Sequence, residues 1–127
     1  MSAPQASLTA AVVLDCPDPV ALAGFYAALL GWPDPPVVSH EGGWVDLANP
    51  AGGMTLEFQR AAEYQAPTWP DPAVPQQFHL DIKVSDLDTA EQRALGLGAK
   101  ILDVSPDHPT WRVYADPVGH PFCLCAC

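Results

Sequence analysis

Two kinds of hydrophobic period follow each other along the chain, and the same succession then starts again. Ala11-Val12-Val13-Leu14-Asp15-Cys16 is apolar and rich in β-branched residues, which predicts a strand. Pro17-Asp18-Pro19 stops it. Asp18 suits a helix N-cap and Pro19 a first helical turn. Leu22, Phe25, Tyr26, Leu29 and Leu30 then recur at helical spacing, and Gly31 is placed to close that helix. After a stiff turn from Pro33 to Pro36, three short strands are predicted at Val37 to Ser39, Trp44 to Ala48 and Met54 to Gln59. Glycine-rich turns separate them at 41–43 and 49–53.

From His79 the order repeats. His79-Leu80-Asp81-Ile82-Lys83-Val84 alternates polar and apolar, the mark of a half-buried strand. Ser85 or Asp86 can cap the next helix, whose apolar stripe is Leu87, Ala90, Ala94 and Leu97. Gly98 ends it, and strands follow at Lys100 to Val104, Trp111 to Ala115 and Pro121 to Cys127. The halves also match in detail. AVVLDCPD (11–18) lies over HLDIKVSD (79–86), WVDLANP (44–50) over WRVYADP (111–117), and LEF (56–58) over FCL (122–124). A self-similarity of this length organises the whole chain. It predicts one α+β domain over 1–127, with a first βαβββ module at about 8–60 and a second at 78–127. The crossover 61–77 holds Pro67, Pro70, Pro72 and Pro75, so it should be stiff and ordered, with Tyr64 and Trp69 packing on something.

Charge narrows the function. The 127 residues carry 5 Lys plus Arg against 15 Asp plus Glu, a formal charge of −10. That field repels phosphate backbones and anionic lipid, so neither nucleic acid nor a membrane is an expected partner. The opening MSAPQASLTA lacks a basic stretch followed by an apolar core, and no apolar run could span a bilayer. A cytoplasmic protein is expected, with its cysteines as thiols. Cys123, Cys125 and Cys127 fall at every second residue, which reads as one face of a strand rather than a zinc clip. No phosphate loop, dinucleotide fingerprint or serine nucleophile motif is present.

HLDIKVSDLDTAEQRALGLGAK (79–100), WRVYADPVGHPFCL (111–124) and VVLDCPDPVALAGFYAALLGW (12–32) carry a resemblance. Together they resemble the vicinal oxygen chelate superfamily, and within it the glyoxalase-like proteins common in actinobacteria. The resemblance implies two βαβββ modules forming an incomplete barrel with a central cleft. It also implies metal ligands on the first and last strands of each module, a small-molecule ligand, and a homodimer. It does not fix the chemistry, because one fold hosts isomerases, dioxygenases, transferases and drug-sequestering proteins.

Strand alternation maps those ligand positions onto Ala11, Glu57, His79 and Cys123. Ala11 has no donor. Glu57 and His79 are conventional ligands and the candidate catalytic pair, with Cys123 a third ligand as thiolate. One divalent cation (Zn, Mn, Fe or Ni) could sit there. The same pair could do metal-free acid–base work, or simply satisfy each other as half-buried polar groups. Tyr64, Trp69, Asp81, Arg112, Tyr114 and Cys123 are expected to line the cleft and touch the ligand. Two functions follow as expectations. One is metal-assisted lyase or isomerase chemistry on a small oxygenated metabolite. The other is metal-free sequestration of a small molecule, such as a drug, by aromatic side chains.

Overall fold

The computed structural model describes residues 11–32 and 37–126. The expected turn from Pro33 to Pro36 and the expected reading of the first ten residues lie outside them. The chain divides into two compact units, Met1–Ala62 and Glu63–Cys127. Each contains one strand–helix–strand–strand–strand series, so the α+β class and the paired βαβββ order expected from the sequence are both observed.

Unit 1 comprises β1 (Ala11–Cys16), α1 (Pro19–Leu30), β2 (Val37–His40), β3 (Trp44–Leu47) and β4 (Thr55–Arg60). The helix starts where the sequence says it should. Asp18 is extended, its side chain accepts from Ala21 N at 3.3 Å, and Pro19 needs no backbone donor there. Gly31 stops it in a left-handed conformation at φ 65°, which glycine adopts without a Cβ clash. The sheet order is β1-β4-β3-β2, with β1 and β4 parallel and the other pairs antiparallel. Leu14, Cys16, Leu47, Leu56 and Phe58 point from the sheet into the core beneath α1, where Tyr26 stacks on Phe58 with centroids 5.9 Å apart.

Unit 2 repeats the plan with β5 (Leu80–Lys83), α2 (Leu87–Gly96), β6 (Lys100–Asp103), β7 (Trp111–Ala115) and β8 (Pro121–Cys125). Its order is β5-β8-β7-β6, with β5 and β8 parallel. Of the two candidate caps, Asp86 takes the role, accepting from Asp88 N at 3.1 Å and from Thr89 Oγ1 at 2.6 Å. Leu87, Ala94, Tyr114, Phe122 and Leu124 are buried, and Tyr114 stacks on Phe122 at 5.6 Å.

The turns before the last strands repeat as well. Asn49 Oδ1 accepts from Ala51 N and Asp116 Oδ1 from Val118 N, both at 2.9 Å. Asp116 is almost fully buried and also accepts from His120 N. No helix among the described residues is long and apolar enough to cross a membrane. Among the described residues, Cys16 and Cys123 are free and buried.

Candidate ligand site in the second unit

Registry in unit 2 sorts its side chains onto two faces. Asp81 pairs with Cys123, Val113 with Cys123, and Trp111 with Cys125. Residues paired across a ladder point the same way, as do residues two apart on one strand. His79, Asp81, Val113, Trp111, Cys123 and Cys125 therefore share a face. The opposite face carries Leu80, Ile82, Phe122, Leu124, Arg112 and Tyr114.

This registry corrects two assignments. Arg112 and Tyr114 were expected at the ligand, but they lie on the face that meets α2. Arg112 Nη2 donates to Asp88 Oδ1 at 3.0 Å, and Tyr114 donates to Glu91 Oε1 at 2.8 Å. Burial, then the neighbouring Glu91 carboxylate, raises the Tyr114 hydroxyl well above its ordinary value. Tyr64 also has another task. Its hydroxyl donates to Val118 O at 2.8 Å and its ring tilts against His120, so it ties the crossover to the β7–β8 turn.

The crossover folds on itself before it reaches the sheet face. Thr68 N donates to Val74 O at 2.8 Å, Thr68 Oγ1 accepts from Val74 N at 2.9 Å, and Asp71 Oδ1 accepts from Ala73 N at 2.8 Å. These bonds hold two side chains, Trp69 and Gln76, over the sheet. With His79, Asp81, Trp111, Val113, Cys123 and Cys125 they line a pocket of about 370 Å³. Trp69, Asp81, His79 and Cys123 were singled out from the sequence. Gln76, Trp111 and Val113 were not, although the alternation of Trp111 and Val113 opposite Cys123 carried a signal.

His79, Asp81 and Cys123 meet on this pocket wall. His79 Nε2 lies 3.1 Å from Asp81 Oδ1, within ion-pair distance when the imidazole is protonated. One nitrogen, one oxygen and one sulfur donor lie within 4.8 Å of one another. Burial pushes the Cys123 thiol up to about 11, and the Asp81 charge pushes the same way. The donor types suit zinc or a similar borderline cation, which would itself displace the thiol proton. By contrast, Glu57 belongs to unit 1. There its Oε1 accepts from Trp44 Nε1 at 3.0 Å, and the same indole N–H reaches Asp46 Oδ1 at 3.0 Å. Asp46 in turn accepts from His40 at 2.8 Å.

Behind the pocket wall stands His108. Its ring is 3.7 Å from that of Trp111 and nearly parallel to it. Nδ1 lies 2.8 Å from Trp111 O and Nε2 lies 2.9 Å from Asp103 Oδ1. Both partners are acceptors, so both bonds together need both ring protons. The bond to the Trp111 carbonyl, followed by Asp103, accordingly raises the His108 pKa above its ordinary value.

Comparison with known proteins agrees with the fold. A glyoxalase/bleomycin resistance protein/dioxygenase family enzyme from Burkholderia phytofirmans PsJN superposes with a TM-score of 0.70 at 17% identity, covering 94% of this chain and 97% of that one. A glyoxalase/bleomycin resistance protein/dioxygenase from Nocardioides gives 0.63 at 21%, covering 98% and 83%. A mutant of the fosfomycin resistance protein FosX from Listeria monocytogenes, in complex with Mn(II) and 1S,2S-dihydroxypropylphosphonic acid, gives 0.68 at 14%, covering 97% and 91%. No curated protein matches significantly. The family model for the glyoxalase-like domain matches residues 11–125, and the chain belongs to that family.

Proposed function

We propose that this chain binds a small organic molecule in the pocket of unit 2. The observation that carries the reading is the pocket itself. About 370 Å³ lies against two indoles, with His79, Asp81 and Cys123 as polar groups on the same wall. That combination of apolar walls and a few convergent polar groups is what small-ligand sites share, and the volume is at the small end of their range. A ligand of one or two rings fits such a space. Calorimetric titration with 2-phenylethanol tests the reading. Binding should be measurable in the native chain and weaker by about fivefold or more in Trp111→Ala, which removes one aromatic wall. No heat from the native chain, or equal binding by the variant, would remove this pocket as the ligand site.

A second reading, metal-assisted chemistry on an oxygenated metabolite, is favoured by the His79, Asp81 and Cys123 donor cluster. Those three residues would hold a divalent cation, which when bound would polarise a substrate oxygen. His79 is then a ligand rather than a free base. Glu57 is the other ligand and acid–base candidate from the sequence. Metal content by plasma mass spectrometry, after loading with zinc or manganese and desalting, separates the possibilities. Near-stoichiometric metal lost in His79→Ala and kept in Glu57→Ala would assign the site to unit 2 alone. Loss in both would restore Glu57 as a ligand. Absence from the native chain would discard the metal reading. Binding as a homodimer is proposed on the family resemblance.

A further inference from the structure

We infer that the unit 2 pocket selects a flat, positively charged organic molecule, an arylalkylamine by class, over an anion of the same shape. The inference rests on the reading of that pocket as the ligand site. Three observations converge on it. Among the eight lining residues, Asp81 is the acid and no lysine or arginine is present. Trp69 and Trp111 bring indoles to the pocket, whose π density attracts a cation more than any other aromatic side chain does, and one face of Trp111 is already stacked on His108. Gln76 Oε1 is buried with no hydrogen-bond partner among the described residues. An unmet acceptor of that kind calls for a donor, and an ammonium group offers donors only. The terminal torsion of a glutamine is broad, so a donor in the pocket can draw that oxygen toward it.

The neighbourhood does not reverse this sign. His79 Nε2 stands 3.1 Å from Asp81 Oδ1, and the Asp81 side chain is largely exposed, so its carboxylate is open to a ligand donor. Lys83 stands two residues further along the same face of β5 but does not line the pocket. The chain as a whole carries −10, which draws a cation from a distance and turns away a carboxylate or phosphonate.

Three phenyl probes of similar size and one small alkylamine separate ring from charge: 2-phenylethylamine, 2-phenylethanol and 3-phenylpropionate, with n-butylamine. Each is titrated into the full chain at 0.15 M salt and again at 0.5 M salt. The amine should bind about tenfold tighter than the propionate, with the alcohol between them and n-butylamine weakest of the cations. Asp81→Asn should erase most of the amine's advantage over the alcohol and the propionate. Gln76→Leu should weaken the amine more than the alcohol. Equal binding of amine, alcohol and propionate, still sensitive to Trp111→Ala, would overturn the charge selection and leave the pocket reading standing. An amine preference that vanishes at 0.5 M salt and ignores Asp81→Asn would belong to the overall charge, and would also overturn it. A preference for the propionate would overturn it in favour of a cation resident on His79, Asp81 and Cys123. Failure of all three phenyl probes to bind would remove the pocket reading itself.

Discussion

At the scale of single residues, His108 shows how an exposed turn acquires a defined charge. It faces two acceptors, the Trp111 carbonyl and the Asp103 carboxylate, and can satisfy both only as an imidazolium. Its folded-state pKa is raised above 6.5, so its contribution to stability is fully present below that pH. The contribution fades as pH rises through the folded value. Asp103 shifts the other way: Ser105 N, then His108, lower it below 3.8. Its contribution is present above 3.8 and is lost as pH falls through the folded value. Urea midpoints should therefore be highest between those limits and decline on the alkaline side. His108→Gln should flatten the alkaline limb and leave the acid limb largely in place. A native midpoint that stays level from pH 6 to 9 would contradict this assignment.

At the scale of elements, turns decide where the crossover lies. Gly119, between β7 and β8, has φ 102°, and a Cβ built there would stand 2.7 Å from the Ala66 Cβ. Both the backbone and the contact demand glycine. Gly119→Ala should cost about 1–3 kcal/mol in urea denaturation. It should also loosen the Tyr64 bond to Val118, so protease cleavage within 64–77 should speed up. A variant as stable and as resistant as the native chain would show that the crossover is held elsewhere.

The elements themselves were legible from the sequence because their signals are local. Asp18, Pro19 and Gly31 bracket α1, and the alternation from His79 to Val84 fixes which residues of β5 point together. The faces of β7 were not legible. Val45 and Leu47 are the packed residues of β3, and their counterparts in the repeat are Arg112 and Tyr114. A packed arginine makes sense only beside Asp88 and Glu91, which α2 brings up from more than twenty residues away. Likewise Trp69 and Gln76 lie in a segment without periodicity. Their place over the sheet depends on bonds between Thr68, Asp71 and Val74 that no pattern of apolar residues encodes.

At the scale of the whole chain, two copies of one plan have taken different roles. In unit 1 the face of β3 and β4 is occupied by its own side chains, since Trp44 spans Asp46 and Glu57 and His40 closes on Asp46. In unit 2 the corresponding strands leave a pocket, and Trp111, the repeat counterpart of Trp44, forms part of its wall. The same strand positions carry a hydrogen-bonded polar cluster in one unit and line a pocket in the other. The stacked imidazole gives that second tryptophan a distinct optical property. A protonated imidazole accepts an electron from an excited indole, so Trp111 should be dim while His108 holds both ring protons. Emission should brighten as pH rises past the raised His108 value, and Trp111→Phe or His108→Gln should abolish the change. The fold thus carries its own fluorescent reporter at the edge of the pocket, readable without any added label.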